Sequence, residues 1–164
     1  MQTLVAVCGL PGTGKTTVAA EIATRLDAAH LRTDVLRKEL FADPTYDDAE
    51  TATVYERLFD RAQSRLAEES VVLDATFPTA EARADARAAA ADAGARFRLV
   101  HVECADGVVR ERIRARSDDA SDADVAVYEQ FRTTYEPVAD PDLVVDNSGD
   151  LAETRAQLDY IFEG

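Results

Sequence analysis

Residues 9–16 read Gly9-Leu10-Pro11-Gly12-Thr13-Gly14-Lys15-Thr16. The spacing of Gly, four residues, Gly, Lys and Thr is that of a phosphate-binding loop, or P-loop. The apolar run at residues 3–8 has the length and the β-branched content of a buried strand. After the loop, Val18, Ile22 and Leu26 recur every four residues, as on one face of a helix. A strand, a glycine-rich loop and a helix therefore follow one another in the order that a P-loop requires.

The residue types of this loop suit the binding of nucleotide phosphates. Glycine lacks Cβ, so the backbone can adopt positive φ and turn its N–H groups toward phosphate oxygens. The helix that follows adds the partial positive charge of its N-terminus. We expect Lys15 to reach the outer phosphates of ATP and the Thr16 hydroxyl to bind Mg²⁺. The residues expected to bind the nucleotide are Gly9, Pro11, Gly12, Thr13, Gly14, Lys15, Thr16 and Thr17.

The chain carries a large excess of acidic residues. It has 32 Asp and Glu against 18 Lys and Arg, for a formal net charge of -14. Only two of the basic residues are lysines, and one of them is Lys15. An acidic surface of this kind is typical of proteins from halophiles, since salt screens the repulsion between like charges. The same charge argues against extended binding of nucleic acid.

The length of 164 residues and the apolar content of 46% predict a single domain over residues 1–164. No apolar run reaches membrane-spanning length, and the first strand begins close to Met1, so we expect a soluble, cytoplasmic protein. Cys8 and Cys104 end apolar runs and are expected to be buried, reduced thiols without a catalytic or metal-binding role.

Four further strands and six further helices are predicted from periodicity and from turn residues. The strands are expected at residues 28–34, 71–74, 97–104 and 143–146, and the helices at 35–41, 49–69, 79–94, 106–116, 121–136 and 151–162. This alternation predicts an α/β fold with a five-stranded parallel sheet and helices on both faces. The loops at the carboxyl ends of the strands then meet at one edge of the sheet.

Two carboxylates and a group of arginines are expected at that edge. Asp34 and Asp74 end the second and third predicted strands, and the helix at residues 106–116 is rich in arginine. Phosphoryl transfer uses a carboxylate to accept the proton of the acceptor hydroxyl, and guanidinium groups to neutralise charge on the phosphate. The Asn-Lys-x-Asp signature of guanine-selective switch proteins is missing from the sequence. These features favour a kinase over a switch GTPase.

Four motifs together resemble those of the P-loop kinases grouped with polynucleotide 5′-hydroxyl kinase, which include zeta-toxin-like kinases and small-molecule kinases of the AAA_33 type. The motifs are Gly-x-Pro-Gly-x-Gly-Lys-Thr, Asp34-x-x-Arg37, Asp74-Ala75-Thr76 and Arg112-x-x-x-Arg116. The resemblance covers nearly the whole chain, and its P-loop is the most specific part. It implies a P-loop NTPase fold of the adenylate-kinase-like type with a short lid at about residues 110–132.

The resemblance also implies roles for individual residues. Asp34 corresponds to the general base, and Arg37 to a substrate-binding residue. Asp74 corresponds to a residue beside the acceptor. Arg116 would stabilise the transferring phosphate from the lid, and Arg112 would contribute at the lid and the nucleotide.

The residues themselves leave alternatives open on the acceptor side. Asp34 could cap a helix that starts at Val35, since Asp favours that position. Arg37 could be a solvated residue on the surface of that helix. Asp74 could hold Mg²⁺ through water instead of contacting the substrate.

A second set of alternatives concerns the arginine-rich helix. Arg112 and Arg116 share one face of this helix, and Arg110 and Arg114 share another. Only the first pair has the spacing of the family. Residues 146–148 could line the adenine pocket through their backbone groups.

We expect an ATP-dependent kinase that transfers the γ-phosphate to a hydroxyl of a small molecule or nucleotide, with Lys15, Asp34 and Arg116 as catalytic residues. Its partners would be ATP and a hydroxyl acceptor that the sequence does not identify, with no membrane. One alternative is a polynucleotide 5′-hydroxyl kinase. Another is a nucleotide-binding regulatory ATPase module, whose ATP turnover would need no acceptor.

Overall fold

A five-stranded parallel sheet organises the computed structural model, which describes residues 1–116 and 121–162. The strand order is β2-β3-β1-β4-β5, and each neighbouring pair is parallel. The strands are β1 (Thr3–Cys8), β2 (Ala29–Arg32), β3 (Val71–Asp74), β4 (Arg96–Glu103) and β5 (Leu143–Asp146). This arrangement confirms the predicted α/β fold class.

Helices cover both faces of this sheet. They are α1 (Lys15–Leu26), α2 (Thr33–Leu40), α3 (Asp48–Arg65), α4 (Ala80–Asp92), α5 (Asp106–Arg116), α6 (Ser121–Thr134) and α7 (Leu151–Phe162). The lid predicted at about residues 110–132 falls on α5 and α6, and its residues 117–120 lie outside the described residues.

The central strand β1 is buried on both faces, which explains its continuous apolar sequence. Leu4, Ala6 and Cys8 pack into a core with residues of α3 and α4. Val5 and Val7 alternate with them and pack into a second core with residues of α1 and α7. The P-loop therefore leaves a strand that is fixed by packing on both sides.

The boundary between β2 and α2 lies earlier than predicted. The strand ends at Arg32, and α2 begins at Thr33, so Asp34 lies in the first turn of a helix and not at a strand end. A carboxylate in the first turn is stabilised by the positive end of the helix dipole. The predicted helix at residues 49–69 is also shorter: the N–H groups of Glu68 and Glu69 both bond to the carbonyl of Arg65, where α3 ends.

The register of the sheet brings the carboxyl ends of its strands to one edge. Asp74 at the end of β3 pairs with Val7 of β1 and with Arg32 of β2. On the opposite side of β1, Glu103 at the end of β4 pairs with Asp146 of β5. The loops that follow β2 and β3 therefore lie on one side of the P-loop, and the loops that follow β4 and β5 lie on the other.

Candidate active site

The P-loop wraps closely against its neighbours and needs glycine at defined positions. Gly14 has φ 87°, and a Cβ there would lie 2.2 Å from Nδ2 of Asn147. A Cβ on Gly9 would lie 2.6 Å from the carbonyl oxygen of Val102. Any side chain at these two positions would displace the loop from the rest of the site.

Lys15 lies over the loop and donates a hydrogen bond from Nζ to the carbonyl oxygen of Leu10 at 3.0 Å. The buried Thr13 donates to the same carbonyl from Oγ1 at 2.8 Å. Burial lowers the pKa of Lys15 to about 8, against the opposing charges of Asp74 and, less strongly, Asp34. The ammonium group is therefore poorly solvated, and a phosphate would be a favourable partner for it.

Thr16 and Asp74 form a hydrogen-bonded pair below the loop. Thr16 Oγ1 donates to Oδ2 of Asp74 at 2.8 Å, and His30 Nε2 lies 3.1 Å from the same oxygen. Burial opposes ionisation of Asp74, but the hydrogen bonds with His30 and Thr16 and the charge of Lys15 outweigh it, so its pKa is lowered. Asp74 is thus a buried carboxylate that stays ionised at neutral pH.

This pair fits the requirements of Mg²⁺. Within residues 1–116 and 121–162, no cluster of three His, Cys, Asp or Glu side chains forms a metal cage. Mg²⁺ does not need one, since it usually binds one or two protein oxygens together with water and substrate phosphates. The hydroxyl of Thr16 and the carboxylate of Asp74 supply two such oxygens.

A cavity of about 610 Å³ opens between the P-loop, α5 and the β5–α7 turn. Its volume is typical of a site for a small ligand or cofactor. It is lined by Gly12, Gly14, Lys15, Thr16, Thr17, Arg112, Ala115, Arg116, Asn147, Gly149 and Leu151. The cavity therefore brings five of the eight predicted nucleotide-binding loop residues together with Arg112 and Arg116, whereas Gly9, Pro11 and Thr13 do not line it.

The arginines of α5 divide between two surroundings. Arg112 lines the cavity and donates from Nη2 to the carbonyl of Asn147 at 2.7 Å. Arg110 pairs with Asp106 of its own helix at 2.9 Å and with Glu129 of α6. Arg112 and Arg116 are therefore the pair at the cavity, which agrees with the spacing of the family.

Asp34 lies outside this cavity, and 60% of its side chain is exposed. Its Oδ2 accepts a hydrogen bond from Nη2 of Arg32 at 2.8 Å, and its Oδ1 accepts one from the N–H of Val35. Arg32 also approaches Asp74, with Nε 3.7 Å from Oδ2. One guanidinium group thus bridges the two carboxylates that the sequence analysis selected.

Arg37 is buried, so its interpretation as a solvated helix residue is wrong. Its Nη1 pairs with Glu50, and its Nη2 donates to Oγ1 of Thr51 at 3.2 Å. The ring of Tyr46 covers the guanidinium group at 4.6 Å. The contact of Arg37 with the substrate stays a prediction. In this structure, the charge of its guanidinium group is already paired with that of Glu50.

Asn147 is a site residue whose side chain the sequence analysis missed. Its Nδ2 donates to the carbonyl of Thr13 in the P-loop at 2.8 Å, and its Oδ1 accepts from Oγ1 of Thr154 in α7 at 2.6 Å. His30, which bonds Asp74, was also missed. The available signals were the position of Asn147 directly after β5, and the alternation that puts His30 and Arg32 on one side of β2.

The loop after β3 is tied to the segment that follows α6. Arg83 is buried and donates to the carbonyls of Phe77, Glu136 and Pro137 at 2.9, 2.6 and 2.9 Å. The hydroxyl of Tyr135 and the N–H of Gly9 share the carbonyl of Thr76. The end of α6, the loop after β3 and the first P-loop glycine therefore form one connected unit.

Comparison with known proteins assigns this chain to a family. Residues 4–138 match the profile of AAA_33, described as an AAA domain. The chain belongs to the AAA_33 family. It is 32% identical over 133 residues to uncharacterized protein Rv2004c of Mycobacterium tuberculosis and to uncharacterized protein Mb2027c of Mycobacterium bovis. These matches cover 73% of this chain but 27% of each relative, so the AAA_33 chain spans about a quarter of their length.

Solved structures similar to this AAA_33 chain include kinases and a protein in complex with a nucleotide. APS kinase CysC of Mycobacterium tuberculosis, in complex with AMPPNP and APS, is 26% identical, with a TM-score of 0.78 and coverage of 99% of this chain and 98% of that one. A gluconokinase of Sinorhizobium meliloti is 21% identical, with a TM-score of 0.73 and coverage of 98% and 94%. Kti12 of Chaetomium thermophilum, in complex with ADP-AlF3, is also 21% identical, with a TM-score of 0.73 and coverage of 98% and 97%. The fold is that of the P-loop kinases.

Two sequence-based expectations concern the source and the location of the AAA_33 chain. The curated relatives are mycobacterial, so they do not support a halophilic source. In the part of the chain that the structure describes, every helix is too short or too polar to cross a membrane.

Proposed function

We propose that this AAA_33 chain is an ATP- and Mg²⁺-dependent kinase that transfers the γ-phosphate of ATP to a hydroxyl of a small molecule or nucleotide. One observation carries the proposal. A single cavity joins Lys15 and Thr16 to Arg112 and Arg116, while Asp34 lies outside this cavity but close enough for its charge to act on Lys15. Such an arrangement offers a donor site with a carboxylate beside it, as phosphoryl transfer to a second substrate requires.

The roles follow from the chemistry of each group. Asp34 accepts the proton of the acceptor hydroxyl, whose oxygen forms the new bond to the γ-phosphorus as the bond to ADP breaks. Lys15 and Arg116 neutralise the charge that develops on the transferring phosphate. Thr16 and Asp74 would hold Mg²⁺, which when bound neutralises charge on the phosphates. The hydrogen bond between Thr16 and Asp74 supports this metal role for Asp74 over a contact with the acceptor.

The decisive experiment starts with a screen for the acceptor. Sugars, nucleosides, antibiotics and oligonucleotides are incubated with ATP and Mg²⁺, and phosphorylated products are detected by mass spectrometry. With an acceptor in hand, Asp34→Asn is compared with Asp43→Asn, which removes another exposed carboxylate. We expect Asp34→Asn to lower kcat by about 10²–10⁴-fold with nearly unchanged ATP affinity, and Asp43→Asn to have little effect. Unimpaired transfer by Asp34→Asn would remove the assignment of the base.

Lys15→Ala tests the role of Lys15 in the donor site. We expect it to weaken ATP binding and to lower the rate of transfer, because the lysine would contact phosphate both in the ground state and in the transition state. A variant that binds ATP as tightly as the wild type would contradict the role of Lys15 in the donor site.

The proposed kinase and its two alternatives differ in the acceptor that ATP turnover requires. A polynucleotide 5′-hydroxyl kinase would label an oligonucleotide that carries a 5′-hydroxyl. A regulatory ATPase module would hydrolyse ATP at the same rate with and without every acceptor. Turnover that depends on a small hydroxyl compound would distinguish the proposed kinase from both.

A further inference from the structure

The acceptor side of the proposed site contains a buried arginine whose charge is already paired. Arg37 lies three residues after Asp34 on α2, and it is 8% exposed. Glu50 and Thr51 of α3 bind its guanidinium group from one side, and the ring of Tyr46 covers it. An incoming anion would have to displace Glu50 in order to bind Arg37.

Glu50 cannot leave this pair without a penalty. It is 7% exposed, and its carboxylate also accepts hydrogen bonds from the N–H groups of Thr45 and Tyr46 at 2.9 and 2.8 Å. These bonds hold Tyr46 at φ 59°, a left-handed conformation that a tyrosine rarely adopts. If Arg37 turned to an anion, a buried carboxylate would lose its counter-charge. The pair therefore supports the loop before α3 and offers no net positive charge to a ligand.

The second arginine on this side is neutralised as well. The Nη2 of Arg32 bonds Asp34 at 2.8 Å, and its buried Nε, which has no hydrogen-bond partner among the described residues, lies 3.7 Å from Asp74. Among the described residues of α2 and of the loop that follows it, Lys38 is an exposed cation, whereas Asp43 and Asp47 are exposed carboxylates of the loop. The local field therefore favours acceptors without negative charge.

We propose that the acceptor is a hydroxyl compound without a phosphate, sulfate or carboxylate group, such as a sugar, a polyol or a nucleoside. The inference rests on the proposed kinase function and narrows its substrate class. A neutral hydroxyl can donate to the exposed carboxylate of Asp34 without disturbing either ion pair. The ring of Tyr46, which covers Arg37 and is 67% exposed, offers an apolar surface on this side. In this arrangement, the pair of Arg37 and Glu50 holds the loop before α3 in place.

The first test uses APS as the anionic probe, since the APS kinase structure holds APS together with AMPPNP. Binding of APS to the chain saturated with AMPPNP and Mg²⁺ is measured by calorimetry for the wild type and for Glu50→Gln. We expect no binding to the wild type at millimolar APS, and at least tenfold tighter binding to Glu50→Gln, in which Arg37 loses its counter-charge. The double variant Arg37→Gln/Glu50→Gln should lose this gain. Micromolar binding of APS to the wild type would overturn the inference, as would a folded Glu50→Gln variant without the gain.

The second test uses only the wild-type protein, so its outcome does not depend on whether a variant folds. Wild-type protein is offered pairs of acceptors that differ by an anionic group: adenosine and AMP, glycerol and glycerol 3-phosphate, sorbitol and gluconate. Transfer with kcat/KM at least tenfold higher for the neutral member supports the inference. Preference for the anionic member leaves the kinase proposal intact and overturns the inference. ATP hydrolysis that no acceptor stimulates counts against the proposed kinase function. In that case the APS binding experiment still tests whether this side of the site accepts an anion.

Discussion

Asn147 connects the P-loop to α7, and Asn147→Ala should cost both stability and nucleotide affinity. The substitution removes the donor to the carbonyl of Thr13, a hydrogen bond between buried groups, and the acceptor for Thr154. A buried carbonyl without its partner costs about 1–3 kcal/mol, and the bond from Thr154 contributes about 0.5–1.5 kcal/mol. Thr154 keeps a weaker bond to the carbonyl of Asp150 at 3.3 Å, so no second group becomes unpaired. The free energy of unfolding should therefore fall by about 1.5–4.5 kcal/mol.

Urea denaturation of the wild type, Asn147→Ala and Thr154→Val measures this effect. Thr154→Val has nearly the same shape and removes the hydroxyl that donates to Asn147 and, more weakly, to the carbonyl of Asp150, while the bond of Asn147 to Thr13 stays. Because the buried Oδ1 of Asn147 loses its donor, this variant should lose about 1–3 kcal/mol. AMPPNP should stabilise Asn147→Ala less than the wild type, because the loop that binds its phosphates is no longer held. A free energy of unfolding for Asn147→Ala within about 0.5 kcal/mol of the wild type would refute this reasoning, since ordinary surface substitutions have effects of that size.

Three further predictions concern charge. The pKa of Lys15 is about 8 in the folded protein against 10.5 ordinarily, so the unfolded chain binds more protons between these pH values. The wild type should therefore gain stability relative to Lys15→Met as pH rises from 8 to 10. A difference in the free energy of unfolding that does not change with pH in urea denaturation would contradict this. Arg116→Ala should lower kcat by about 10²-fold or more, whereas Arg114→Ala, which changes an exposed residue on another face of α5, should not; equal losses in a kinetic assay would argue against a specific role for Arg116. The net charge of -14 should make the melting temperature rise with added KCl, because salt screens the repulsion between carboxylates; a melting temperature independent of KCl would show that this repulsion does not limit stability.

Local sequence signals were sufficient for most of the fold. The bounds of β1, β3, β5, α5 and α7 agree with the prediction, since each is set by an apolar run or by residues that end a helix nearby in the sequence. The boundary between β2 and α2 was predicted two residues too late, because Thr33 and Asp34 suit both the end of a strand and the first turn of a helix. There the pairing of Arg32 with Asp74 across the sheet marks where the strand ends.

The site was predictable to the extent that its residues belong to contiguous motifs. The P-loop and the face shared by Arg112 and Arg116 depend on spacing alone, and both face the same cavity. The bond of Asn147 to the P-loop spans 134 positions, and the contact of His30 with Asp74 spans 44. Such pairings arise from the packing of the sheet: a local pattern can place Asn147 after β5 and His30 on one side of β2, but it does not name their partners. The partner of Arg37 is hidden for the same reason, because Glu50 lies on another helix.

The position of Arg83 has a consequence for the divergence of related enzymes and for their engineering. Its three donors bind carbonyls of two segments that are far apart in the sequence, and neither segment can change its path alone. A chimera that imports the loop after β3 from a related protein should therefore also import the segment from Tyr135 to Pro137. New acceptor specificities in this family would then be inherited as paired exchanges of these two segments.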